Sequence, residues 1–164
     1  FWLPKELILF NNCNLKRKFN INLSKDSNLF LCESIVFGRT SMNEILNSGF
    51  FSDLWKIYYD KKLVHTEALN TDGFNNELLK SQSILNSNCA ISTIILVGKK
   101  FLDVGDELSK VMTNDNYTTS EYSTWDEKLI IRCISKDSYN LKFAINKILS
   151  YFFENSQIPK IWKI

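Results

Sequence analysis

From Cys13 to Leu23 the odd positions read Cys, Leu, Arg, Phe, Ile, Leu and the even ones are Asn or Lys, the period of two expected of a half-buried strand. Lys25-Asp26-Ser27-Asn28 supplies turn chemistry. Leu29 to Phe37 then reads as a second strand, apolar enough to be covered on both faces and interrupted by Glu33. After Asn47-Ser48-Gly49, strands over Leu54 to Tyr59 and Leu63 to Leu69 flank Asp60-Lys61-Lys62, a connection of hairpin length. Thr71 to Asn76 is a breaker-rich loop, followed by a short helical or irregular piece around Glu77 to Leu85. Ile91 to Val97, closed by Gly98, reads as a buried strand, and Val104, Leu108, Val111 and Met112 recur at helical spacing. Asn114 to Ser123 reads as polar and turn-like, and Leu129 to Ile134 as another strand. Ser138 is placed to cap a helix whose Leu141, Ile145, Ile148, Leu149 and Phe152 form one apolar stripe. The pattern predicts a mainly β fold with two helices in the C-terminal half. No repeat of fixed length is visible, although a β-helix can be built from coils of irregular length.

With 164 residues, 45% hydrophobic and 13% aromatic, the chain fits one domain (1–164) with a packed core. A net charge of +2 with dispersed lysines gives no nucleic-acid footprint. The densest basic run, Lys16-Arg17-Lys18, reads as a solvated strand face rather than an interaction patch. No apolar run approaches the roughly 18–20 residues that span a bilayer, so no membrane partner is expected. The first residue is Phe1, inside an apolar phrase without the order of a signal peptide, so the chain reads as a fragment. Cys13, Cys32, Cys89 and Cys133 each lie in or beside an apolar run, as expected of buried free thiols in a reducing, cytoplasmic setting.

A search for catalytic chemistry finds little. His65 is the single histidine and falls on a predicted strand, where a satisfied imidazole is the plain reading. Gly38 and Gly49 stand alone and Gly98-Lys99-Lys100 lacks the upstream glycine of a phosphate loop. Neither a Cys-x-x-Cys nor a histidine pair offers a tight zinc site. Two carboxylates stand out instead: Glu33 inside an apolar strand, and Glu67 two positions beyond His65. A carboxylate taken out of water costs several kcal/mol unless it meets a cation, donors or a wet cavity. Arg39 and Arg132 are the candidate counter-ions. The alternatives are plain structural ion pairs or a wet, acid-lined passage whose oxygen ligands hold a divalent cation weakly enough to release it. Gly38-Arg39 adds a backbone position open to positive φ and a five-donor fork, with Glu44 close behind.

Five phrases in order carry a resemblance. Trp2-Leu3-Pro4-Lys5-Glu6 with Ile8-Leu9-Phe10, the run Glu33 to Glu44, Asp53 to Ile57, Ser123-Thr124-Trp125 with Leu129 to Arg132, and Ile158 to Ile164 resemble successive segments of the urease accessory protein family UreD, also called UreH. Two departures are Asn43 where the family usually has glycine, which leaves the backbone there open, and Lys160 in place of an arginine, without its bidentate fork. The resemblance implies a β-helix-like or layered sheet scaffold with two helices, here lacking the family's N-terminal strands and so exposing a sheet edge. It implies a chaperone and not an enzyme: a scaffold for UreF, and through it UreG, on the urease apoprotein, with nickel in transit and no tightly bound cofactor. By the same carry-over Glu33, Glu44 and Glu67 are candidates for a nickel path or its mouth, Glu33 and Glu67 as weak, transient ligands. Gly38, Arg39 and Arg132 would shape that path or touch partners. The competing expectations are a metal-independent β-rich interaction scaffold and, furthest away, a hydrolase on a β scaffold.

Overall fold

Strands form both where apolar residues alternate, as over Cys13–Leu23, and where they run on continuously, as over Leu29–Phe37. They are β1 (Leu7–Leu9), β2 (Cys13–Leu23), β3 (Leu29–Phe37), β4 (Gly49–Tyr59), β5 (Lys62–Asp72), β6 (Ala90–Val97), β7 (Thr118–Trp125) and β8 (Lys128–Ser135). The computed structural model describes residues 1–39, 42, 44–74, 79–154 and 157–163. Two helices lie in the C-terminal half, α1 (Gly105–Val111) and α2 (Ser138–Phe152). The strands make a five-stranded sheet in the order β1-β3-β6-β8-β7 and a three-stranded sheet in the order β2-β4-β5.

The first four strands alternate between the sheets, and each new strand lies parallel to the one laid two steps earlier: β3 beside β1, β4 beside β2. That is the winding of a β-helical coil. From β5 onward the pairing is antiparallel, starting with the β4–β5 hairpin. Its turn is Asp60-Lys61 alone, both with positive φ (47° and 64°), the two-residue geometry whose twist matches the strands. Lys62 already belongs to β5. The mainly β, layered scaffold with two C-terminal helices is therefore the fold.

Burial explains β3, which is buried along its whole length. Its even positions Phe30, Cys32 and Val36 pack with Ile94, Leu96, Leu129 and Ile131 under α2 residues Leu141, Ile145, Ile148 and Leu149. Its odd positions face the three-stranded sheet, where Leu29 and Leu31 meet Trp55, Ile57, Ile95 and Ile130. The five-stranded sheet is thus the middle of three layers, and a strand covered on both faces reads as a continuous apolar run.

Four expectations change. The stretch 114–123 is not all turn, because Thr118–Trp125 pairs with β8 as an edge strand. Its inward residues are the small Thr118 and Ser120, and its outer face is exposed, so no apolar alternation marks it. Ser138 does not cap α2; Asp137 does, accepting the Asn140 backbone N–H at 2.7 Å. Of the piece expected around 77–85, residues 77 and 78 lie outside the described residues, Leu79 and Lys80 are helical and 82–87 are turns. Lys16 and Lys18 are solvated, but Arg17 is not, since the parity of β2 turns it inward. Asn43, with its departure from the family glycine, lies outside the described residues, as do Asn75, Asn76 and Ile164.

Candidate functional site

The inter-sheet layer is crossed by a row of charge. Glu33 is opposite Thr93, Thr93 opposite Arg132, and Arg132 opposite Glu121 on successive strands β3, β6, β8 and β7. Directly paired residues share a face, so all four point toward the smaller sheet. From that sheet Arg17 of β2 and Asp53 of β4, themselves paired in register, reach the near end of the row. Arg17 donates from Nη1 to Glu33 Oε2 at 3.0 Å and from Nη2 to Asp53 Oδ2 at 2.5 Å. Trp2 Nε1 donates to the other oxygen of Glu33 at 2.6 Å. The side chains of Glu33 and Asp53 are only 3% and 2% exposed, so the shared guanidinium offsets a desolvation that neither acid could bear alone. Phe19 and Phe51 flank it, with ring centroids 5.1 and 5.9 Å from the guanidinium carbon.

The far end is built on Glu67 of β5. Arg132 grips it bidentately, Nη1 to Oε1 at 2.9 Å and Nη2 to Oε2 at 2.7 Å, and Nη1 also donates to Thr93 Oγ1 at 2.9 Å. His65 Nε2 lies 3.4 Å from Oε2. Burial pushes the Glu67 carboxyl upward, but the hydrogen bonds and charges of His65 and Arg132 together outweigh it and hold the pKa to about 2. The pair is graded in exposure: Glu67 is 18% exposed at its side chain and Arg132 54%.

Two spaces meet at this pair. Behind it is a cavity of about 80 Å³ between the sheets, lined by Glu33, Asp53, Glu67, Thr93 and Arg132 with apolar walls, roomy enough for several waters. Asp53 Oδ1 and Trp55 Nε1, both from residues that line it, have no hydrogen-bond partner among the described residues. In front is an open groove beside β7, lined by His65, Glu67, Glu121, Trp125 and Arg132 among others. Among the described residues, no three His, Cys, Asp or Glu side chains converge as a metal-holding group. Burial pushes the Cys32 thiol up to about 12 and Cys133 up to about 11, so neither presents a thiolate.

Gly38, Arg39 and Glu44 form a separate constellation. They sit beyond the end of β3, with Gly38 about 16 Å of extended strand from Glu33. Gly38 has φ 85°, its N–H donates to Leu9 O at 2.7 Å, and an added Cβ would lie 3.0 Å from Glu44 O; only glycine fits there. Arg39 pairs with Glu44, not with Glu33, and stacks over Phe10 at 5.4 Å. Glu44 also accepts the Asn11 N–H at 2.9 Å, and these bonds, Arg39's first, hold its carboxyl below the usual range. Of the expected counter-ions, Arg132 serves Glu67; the partner of Glu33 is Arg17.

Residues 1–163 match the family model of the UreD urease accessory protein. The chain belongs to the UreD family. It is 29% identical over 163 residues to the urease accessory protein UreD of Rhizobium leguminosarum bv. viciae, covering 99% of this chain and 59% of that protein. The UreD of Agrobacterium fabrum is 28% identical, with 99% and 56% covered, and UreD 1 of Bradyrhizobium sp. (strain ORS 278) is 30% identical, with 98% and 57% covered. The chain thus spans under three-fifths of the length of these relatives, whose names describe an accessory protein and not an enzyme. Among the described residues, no helix is long and apolar enough to cross a membrane.

The phrases that mark a UreD are joined in space. Trp162, 2% exposed, donates from Nε1 to Leu3 O at 3.0 Å, and Trp2 bridges to Leu31 beside the Glu33 carboxylate it holds. Three charged members of the row, Arg17, Asp53 and Glu121, escaped the sequence reading. Arg17 and Asp53 each carry a readable signal, a charged residue on the otherwise apolar parity of its strand: Arg17 among Leu15, Phe19 and Ile21, and Asp53 between Phe51 and Trp55. Glu121 lies in a strand without such a pattern.

Proposed function

We propose that this chain, as part of a longer UreD protein, serves urease maturation: it scaffolds UreF, and through UreF the GTPase UreG, on the urease apoprotein, and passes nickel toward the urease active site. Family membership supports the maturation role. The single observation that most favours metal passage is the charged row, which sets three carboxylates, Glu33, Asp53 and Glu67, against two guanidiniums in an inter-sheet cavity adjoining an open groove. Among the described residues, one Asp53 oxygen also has no hydrogen-bond partner. Oxygen donors engaged by arginine suit a cation in transit, because each ligand exchanges a guanidinium for the metal and back again. Gly38, Arg39 and Glu44 lie in another region and fit a partner-facing loop better than the path itself.

The alternative, a metal-independent β-rich interaction scaffold, is favoured by one fact: Arg17 already spans Glu33 and Asp53. The experiment that separates them uses full-length protein co-expressed with UreF, UreG and the urease subunits. Glu33→Gln and Glu67→Gln, which keep the side-chain shape but replace one acceptor oxygen with an amide donor, are expected to lower urease activation per folded molecule severalfold while co-purification is unchanged. Unaltered activation in both variants removes the path and leaves the scaffold. Failure of the unsubstituted protein to co-purify with either UreF or urease ends the chaperone reading altogether.

A further inference from the structure

Arg132 has two carboxylates within reach and uses one. Glu67 holds it from the opposite sheet, where the bidentate grip places the guanidinium at the boundary between the cavity and the groove; Glu67 and Arg132 are the two residues that line both. Glu121 is its direct cross-strand neighbour on β7, and such pairs have Cβ atoms about 5 Å apart. Glu121 is exposed, lines the groove and has no ion-pair partner among the described residues. The Arg132 side chain is itself 54% exposed, so its rotation toward β7 disturbs no packed core.

Resting on the cation-passage reading, we infer that Arg132 is a gate: paired with Glu67 it shuts the acidic cavity, and swung onto Glu121 it opens the cavity to the groove. The exchange trades a bidentate, partly buried pair for an exposed one, so the closed state predominates and the open state is the minor one. A divalent cation arriving at the Glu67 carboxylate favours the open state, since it competes with Arg132 for that acid. The gate opens for the charge it admits. Glu121 is then the open-state partner, a role distinct from that of a ligand, and Arg17, locked between two buried acids and two rings, is the fixed counterpart that does not move.

A thiol placed behind the gate tests this. In full-length protein carrying Cys89→Ser, the reporter Thr93→Cys sits in the cavity, and its reaction with a small cationic methanethiosulfonate is timed with and without Ni²⁺. Glu121→Gln is expected to slow the modification by about two- to fivefold, the population shift an exposed ion pair supports, with no change in melting temperature because the closed state does not use Glu121. Arg132→Gln is expected to accelerate it and to abolish the Ni²⁺ effect. An unchanged rate in Glu121→Gln overturns the gate. If Thr93→Cys does not fold, Ile91→Cys lines the same cavity and is judged by the same criteria. Urease activation measured in parallel separates the two ideas: rates that shift as expected while Glu33→Gln and Glu67→Gln activate normally keep the gate and remove nickel passage.

Discussion

The two faces of the five-stranded sheet share one backbone and one register yet carry opposite chemistry. Toward the helices, Cys32, Ile94, Leu96, Leu129, Ile131 and Cys133 join α2 in one continuous apolar cluster. Toward the smaller sheet, the apolar contacts fall into two clusters, one around Leu9, Ile35 and Phe51 and one around Leu31, Trp55 and Ile95, with the charged row between them. A sandwich does not need that row in order to fold. Buried ion pairs rarely repay their desolvation relative to apolar side chains of the same volume. The helix face therefore carries the larger share of the stability.

Substitutions on the two faces should break this contrast in different ways. The largest loss is expected from Arg17→Ala, which strands two buried carboxylates and should cost about 3–5 kcal/mol in a urea titration of the full-length protein. Ile148→Ala, on the helix face, should cost about 2–5 kcal/mol by cavity formation, with urease activation per folded molecule unchanged. Replacing the whole cluster, Arg17→Met with Glu33→Leu and Asp53→Leu, should leave stability equal or raise it by about 1–4 kcal/mol while urease activation falls away. A destabilised triple variant would mean that the row is structural after all.

Acid should probe the far end. Glu67 is held to about 2 against a reference of 4.5, so its folded pKa is depressed. Its contribution is complete above the unfolded pKa and is lost as pH falls from about 5 toward 2. Because Glu67 is partly solvated, that contribution is about 1–2 kcal/mol after screening, and Glu67→Gln should flatten the stability profile over this range. The smallest effect, about 1 kcal/mol, is expected from Asp137→Ala at the start of α2, with no effect on the row.

Much of this contrast was legible in the chain. Period two located β2, and the continuous apolar run located β3 and implied cover on both of its faces. Glu33 and Glu67 were visible as acids in apolar company, and Arg132 as a partner for one of them. Arg17 was hidden by its neighbours: between two solvated lysines it reads as one more surface cation, although its parity belongs to the buried side. Asp53 lies in a strand that starts at Gly49, earlier than the apolar run from Leu54 suggests. β7 was unreadable because an edge strand facing small hydroxyls on one side and solvent on the other has no apolar alternation. Which arginine meets which acid depends on the facing of two sheets, and no local pattern encodes that.

The bond from Trp162 to Leu3 connects positions 159 apart in sequence. Closing so long a loop early in folding has little to recommend it, because the entropic penalty falls due before the intervening strands supply any contacts. The tie is therefore expected to form late, once the coil of β1 to β4 and the helix layer have brought its two ends together. Burial of the Trp162 indole is then expected among the later of the tryptophan fluorescence changes on refolding, separable from that of buried Trp55 by a Trp55→Phe background.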